Sequence, residues 1–121
     1  MKTIIVAVDS FKESMTSLEA GNAIKNGIKD IHPDWNITVY PVADGGEGTL
    51  EALTYHQSVT KRTCTVTGSL GNPVEASYLW YGRGSERTAV IEMAQAAGLP
   101  LVPADKRNPL CTTTYGVGEL I

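Results

Sequence analysis

Lys2-Thr3-Ile4-Ile5-Val6-Ala7-Val8 is the stretch on which the fold turns. It is rich in β-branched residues and carries no charge after Lys2, the pattern of a strand buried on both faces of a parallel sheet. A polar segment, Asp9-Ser10-Phe11-Lys12-Glu13-Ser14, leaves it. Thr16 followed three residues later by Glu19 has capping-box spacing and opens a helix. Ala20, Ile24, Ile28 and Ile31 then recur at helical intervals and predict one apolar face, which Pro33 and Asp34 terminate. Asn36 to Tyr40 reads as a second strand, so the first 40 residues predict a Rossmann-like βαβ unit with parallel strands.

Parallel strands end on the same sheet edge, and open α/β sheets bind ligands at the carboxyl ends of their strands. Asp9–Ser14 leaves the first strand at that edge. Pro41-Val42-Ala43-Asp44-Gly45-Gly46-Glu47-Gly48-Thr49 leaves the second, ahead of a helical segment carrying Leu50 and Leu53. Two polar segments far apart in sequence are therefore expected to meet. Three glycines in four positions mark a backbone that bends or admits a close approach. Main-chain N–H groups at a helix start attract anions, while Asp44 and Glu47 are suited to hold a cation or accept a proton.

The pattern changes after His56. Ser58–Thr67, Val74–Tyr81 and Thr88–Met93 read as three strands, joined by turns at Gly68–Pro73 and Gly82–Ser85. Val74, Ala76, Tyr78 and Trp80 alternate with Glu75, Ser77, Leu79 and Tyr81, which predicts a half-exposed antiparallel meander. The expected division is residues 1–57 as a βαβ segment with substrate and phosphate loops, and residues 58–121 as a β-meander with the start of a second α/β domain. A β extension of one domain is the simpler alternative. Pro109 to Ile121 reaches the chain end as a helix begins, with no cap behind it, and reads as truncated.

An apolar fraction of 42%, a charged fraction of 19% and a net charge of −3 suit an ordinary folded chain. No Lys/Arg cluster is present to neutralise a row of phosphates, which argues against a nucleic-acid partner. The apolar runs are too short to span a bilayer, and no signal peptide precedes the first strand. Cys64 and Cys111 lie outside any CxxC or metal-ligand spacing and read as reduced thiols of a cytoplasmic protein. His32 and His56 stand alone and read as surface or capping residues.

A Walker A loop requires a Gly-Lys pair, which this sequence lacks, and the protein-kinase signatures are absent too. Gly116-Val117-Gly118 is half of a dinucleotide fingerprint and weak as such. Taken singly, the candidate residues keep structural alternatives. Asp9 can simply terminate a strand, Lys12 can be a solvated charge, and the glycines can make a tight turn. Glu92, within Val90-Ile91-Glu92-Met93-Ala94, either faces solvent or is paired in a site. Thr112, Thr113 and Thr114 read as helix-capping residues whose hydroxyls are also phosphate or carboxylate donors.

Together, in order and spacing, four segments resemble the bacterial type-1 glycerate kinase family over essentially the whole chain. They are Asp9–Ser14, Pro41–Thr49, Ile91-Glu92-Met93-Ala94 with Ala97-Gly98-Leu99, and Thr112–Ile121. Val8 departs from the family, which commonly has proline before the aspartate. The resemblance implies a two-domain α/β kinase, of which this sequence would be the N-terminal part. Family members continue past Gly116–Ile121 into a Gly-rich segment. It implies ATP-dependent phosphorylation of D-glycerate to 2-phosphoglycerate, or to the 3-phospho isomer, with Mg²⁺ accompanying ATP. On that reading Asp9, Lys12 and Asp44 are catalytic. Ser10, Gly45, Gly46, Gly48, Thr49, Glu92, Thr112, Thr113 and Thr114 bind substrate, and Asp44 with Glu47 meets the metal. D-glycerate and ATP are then the partners, with no nucleic acid or membrane, and a homodimer is a further expectation. The competing class is a non-catalytic α/β module that binds a small carboxylate or nucleotide.

Overall fold

The computed structural model describes residues 2–121 and has an α/β architecture. Two compact units divide the chain, Met1–Gln57 and Ser58–Ile121.

In the first unit, strand β1 (Thr3–Val6) pairs in parallel with β2 (Asn36–Val39), register Thr3 to Asn36 through Val6 to Val39. Helix α1 (Ser17–Ile31) makes the crossover. Its start is fixed as the sequence predicts: the Glu19 N–H donates to Thr16 Oγ1 (3.2 Å) and the Thr16 N–H to Glu19 Oε2 (2.8 Å). This reciprocal pair satisfies two donors that a helix start otherwise leaves unpaired. Val6, Ile37 and Val39 form the core, with Ile4, Val8, Leu18, Ile28 and Trp35 packed against it.

Two expectations are corrected in this unit. The first strand is shorter than Lys2–Val8 and is not buried on both faces: Ile5 is 65% exposed. Ile4, Val6 and Val8 point into the core, a period of two, because α1 packs on one face of the pair. The helix also turns a different stripe inward. Ser17, Ala20 and Gly21 are buried, with Leu18 and Ile28 on the core, whereas Ile24 and Ile31 are exposed. Gly21 explains the rotation. A Cβ built there would lie 2.4 Å from Val39 Cγ1, so the missing side chain lets α1 settle on β2 along that line. Helix α2 (Thr49–His56) follows the glycine loop.

In the second unit β3 (Thr60–Thr67), β4 (Pro73–Tyr81) and β5 (Thr88–Ile91) form an antiparallel sheet in sequence order. After β5 come a short helix α3 (Ala94–Ala97), two 3₁₀ turns (Leu99–Leu101 and Ala104–Lys106) and α4 (Tyr115–Glu119). Val66, Ala76, Ala96 and Leu120 form this core, joined by Val74, Tyr78, Ile91 and Val117.

The alternation predicted for β4 fails at its centre. Ser77 and Leu79 lie on the face expected to be exposed, yet both are buried, Leu79 completely. The serine tolerates burial because its polar groups are paired. Its hydroxyl lies 3.0 Å from Thr63 Oγ1, and its N–H donates to Gln95 Oε1 (3.3 Å). That second bond sits where β5 has turned away, since Tyr78–Ile91 is the last strand pair. Met93 accordingly lies beyond β5, and Ala94–Ala97 is helical.

At the other end of the sheet α4 seats directly on β3. A Cβ at Gly116 would lie 1.9 Å from the Thr67 carbonyl oxygen, and Glu119 Oε2 accepts the Thr67 N–H (2.6 Å). Among the described residues no helix is long and apolar enough to cross a membrane.

Candidate functional site

The two loops of the first unit leave the same edge of the β1–β2 pair, as parallel pairing requires. Their first residues are joined by a side chain that the sequence reading overlooked. Ser17, buried in the first turn of α1, donates its hydroxyl hydrogen to the Val8 carbonyl and accepts the Val42 N–H (3.0 Å). One hydroxyl thus ties the residue before Asp9 to the residue two before Asp44. The available signal was positional. Ser17 is the polar residue on the inward stripe that continues through Ala20 and Gly21.

Asp9 is half-buried, and its Oδ1 accepts the Ser10 N–H (2.6 Å). Beyond Ser10 the chain closes a tight turn: Phe11 N–H donates to Met15 O (2.9 Å) and Met15 N–H to Phe11 O (3.0 Å). Lys12, Glu13 and Ser14 form its exposed tip. Glu13 has φ +58°, a left-handed conformation that side chains resist. Lys12 is therefore presented at the end of a constrained turn rather than on a helix or strand.

In the second loop Asp44, Gly45, Gly46 and Glu47 are exposed, and Gly48 and Thr49 are half-buried. Asp44 Oδ1 accepts the Gly46 N–H (2.9 Å), and Thr49 Oγ1 donates to Gly46 O (2.8 Å). Gly45 (φ +102°) and Gly48 (φ +90°) both occupy backbone space that favours glycine. Gly48 is also the N-cap of α2 and supplies no capping side chain. The Gly46 amide is engaged by Asp44, so an anion seeking it would replace this contact. The far end of α2 returns to the loop. His56 Nε2 lies 2.7 Å from Pro41 O, and its ring stacks on Tyr40 at 5.6 Å between centroids. His56 and the C-cap His32, stacked on Trp35 at 3.8 Å, take capping and packing roles.

The remaining candidates belong to the second unit. Glu92 is 4% exposed, immediately after β5, and its carbonyl accepts the Gln95 N–H (3.0 Å). The Glu92 side chain is thus buried rather than solvent-facing. Thr113 is a structural cap in part: its N–H donates to Ser69 O (3.0 Å) and its Oγ1 accepts the Tyr115 N–H (3.1 Å). Thr114 lines a groove of about 630 Å³ with Met93, Tyr115, Val117, Gly118 and Glu119, and Thr112 is half-buried. Cys64 and Cys111 are free and exposed.

A metal must be judged on the donors present. Among the described residues no group of three or more His, Cys, Asp or Glu side chains is arranged to hold one. Mg²⁺ commonly uses one or two carboxylates and takes its other ligands from water and phosphate. Asp44 and Glu47 are carboxylates of that kind, and among the described residues no cage of protein ligands is formed.

These features, an α/β fold with acidic and glycine-rich loops at one strand edge, agree with the relationships of the sequence. A glycerate kinase family model matches residues 4–121, and the chain belongs to the glycerate kinase family. It is 50% identical to a glycerate kinase of Halalkalibacterium halodurans over 121 residues, covering all of this chain and 31% of that protein. Against a glycerate 2-kinase of Escherichia coli K12 it is 51% identical over 118 residues, 98% of this chain and 30% of the relative. A solved structure from Salmonella typhimurium LT2, assigned as a glycerate kinase 2, superposes with a TM-score of 0.67 at 46% identity. That alignment covers 99% of this chain and 31% of the other. The chain therefore spans about 30% of the length of these relatives.

Proposed function

We propose that this chain supplies the substrate-side loops of a kinase that phosphorylates D-glycerate with ATP, giving 2-phosphoglycerate, with 3-phosphoglycerate as the alternative product. The observation that carries the reading is the Ser17 bridge, which holds the Asp9 and Asp44 loops together at one strand edge in a chain related throughout to glycerate kinases.

In the reaction a glycerate hydroxyl oxygen bonds to the γ-phosphorus of ATP while the bond from that phosphorus to the β–γ bridging oxygen breaks. ADP leaves, and the hydroxyl proton passes to a carboxylate. Such a transfer demands positioning and charge relief more than covalent chemistry. Asp44 or Asp9 accepts the proton. Lys12, at the tip of its turn, neutralises the substrate carboxylate or the transferring group. Ser10, Thr49 and the amides of Gly45, Gly46 and Gly48 bind anionic oxygens. Glu92 and Thr112–Thr114 contribute further substrate contacts. Asp44 and Glu47 would hold the Mg²⁺ that accompanies ATP, which would supply relief of phosphate charge. A cytoplasmic enzyme is inferred with this chemistry.

The test is a coupled assay of a polypeptide of the relatives' length carrying these residues, with D-glycerate and Mg-ATP, and the product resolved by phosphorus NMR. Glycerate-dependent ADP release is expected, and its absence would sink the reading. The 121 residues alone are expected to turn over little or nothing. They contain no phosphate-binding loop of the Walker A or protein-kinase type. Glycerate-dependent ADP release from them would overturn that part.

A further inference from the structure

One face of the antiparallel sheet is covered over only part of its length. Register places Arg62 opposite Tyr78 and Thr60 opposite Trp80, with Ala89 beside Trp80. The same face carries Val66, Val74 and Ala76, which the core residues of α3 and α4 cover. Past Tyr78 this cover stops. The uncovered end forms a recess of about 330 Å³ lined by Arg62, Tyr78, Trp80, Arg87, Thr88 and Ala89.

Its lining is chemically one-sided, with two guanidiniums, an indole, a phenol and a hydroxyl, and no carboxylate. The Trp80 indole N–H is buried without a hydrogen-bond partner among the described residues. Buried donors are rarely left unpaired, so the orphan marks an end of the sheet whose cover is incomplete. Arg87 lies over the Trp80 ring, 5.3 Å from its centroid, and its Nε is anchored to Gly84 O (3.0 Å). The guanidinium plane is thereby held at the recess with its terminal nitrogens still able to donate. Arginines act as planar multi-donor forks suited to phosphate oxygens. In a chain of net charge −3, two of them beside an orphan donor are a local reversal of sign.

We propose that this recess binds a small organic phosphate, its phosphoryl oxygens accepting from Arg62 and Arg87, its organic body resting on Tyr78 and Trp80. The proposal is independent of the glycerate reading, because every residue in it belongs to the second unit and none is a candidate for glycerate chemistry. Other occupants, a second copy of the chain or a non-phosphate aromatic, make different predictions.

The experiment uses the 121-residue chain with ADP, inorganic phosphate and adenosine as probes. Trp35 is the only other tryptophan, so a Trp35→Phe background isolates Trp80 fluorescence, and calorimetry on the unmodified chain gives an independent measure. ADP is expected to change the emission saturably and inorganic phosphate to compete with it, while adenosine binds at least tenfold more weakly. Arg62→Ala and Arg87→Ala, both at exposed positions, are each expected to weaken ADP at least tenfold with unchanged far-UV circular dichroism. The proposal falls if ADP gives no saturable signal by either method, or if adenosine binds as well as ADP. It also falls if both arginine variants bind as the parent does, or if the Trp80 signal follows protein concentration alone, which would make the occupant a second copy. ADP binding that ignores Arg62 and Arg87 would remove this recess and leave the kinase reading standing.

Discussion

The βαβ unit and the antiparallel unit keep their polar chemistry in different places. In the first, the strands are four residues each, Thr3–Val6 and Asn36–Val39, and the candidate groups lie beyond them in loops. In the second, strands of eight and nine residues carry polar groups within the ladder. Thr63 meets Ser77, and side chains from helices finish what the strands leave open: Gln95 at Ser77 and Glu119 at Thr67. A parallel pair with a helical crossover gathers its loops at one edge by topology alone. An antiparallel meander gains no such edge and uses side chains to close its ends. The difference teaches where a sequence shows which residues will meet: loops after parallel strands share an edge by topology, and groups inside a meander are brought together only by packing.

The largest expected effect tests the loop side of that contrast. In a glycerate kinase of the relatives' length carrying this segment, Asp44→Asn and Lys12→Met should each lower turnover by roughly 10²–10⁴-fold with the fold intact. Near-normal turnover in either removes that residue from the chemistry. On the meander side, Gly116→Ala drives a methyl into the Thr67 carbonyl, a backbone group that cannot rotate away. It should cost about 1–3 kcal/mol or more in urea unfolding, and an unchanged midpoint would show that α4 does not seat there.

Ser17→Ala removes the hydroxyl between Val8 and Val42 and should cost about 1–2 kcal/mol. The discriminating readout is faster hydrogen exchange at the Val42 amide. Unchanged exchange there would mean that the two loops hold together without the bridge. The smallest effect is expected at Gly21→Ala. Its methyl would lie 2.4 Å from Cγ1 of the buried Val39, whose β-branched side chain is stiff, so the gain of about 1 kcal/mol in helix propensity offsets only part of the crowding. A loss as large as that of Gly116→Ala would erase the distinction between side-chain and backbone contact.

Much of the first unit was legible in the sequence. Thr16 with Glu19 fixed the start of α1, and the two extended runs with a helix between them required parallel strands and a shared edge for Asp9 and Asp44. Less accessible was anything decided by packing. Ile24 and Ile31 fit the helical period as well as Leu18 does, and only the Gly21–Val39 approach settles which stripe faces inward. Leu79 breaks the alternation predicted for β4, because its burial on the second face is a tertiary fact that periodicity does not encode. Ser17 escaped notice for a similar reason: a serine just inside a capped helix is unremarkable until the loops it joins are known. Glu92 is buried, which a charge amid apolar neighbours did not decide in advance.

The Gln95–Ser77 bond has a consequence for how the meander assembles. A strand that stops short beside a longer one leaves a main-chain donor exposed to whatever extended segment drifts past, and sliding by one residue would exchange the faces of Val90 and Ile91. By placing an amide oxygen at the donor just beyond the last pair, Gln95 acts as a stop on the track. β5 can dock beside β4 in one alignment, and the vacant position that would recruit a stray strand is filled by the same chain that made it.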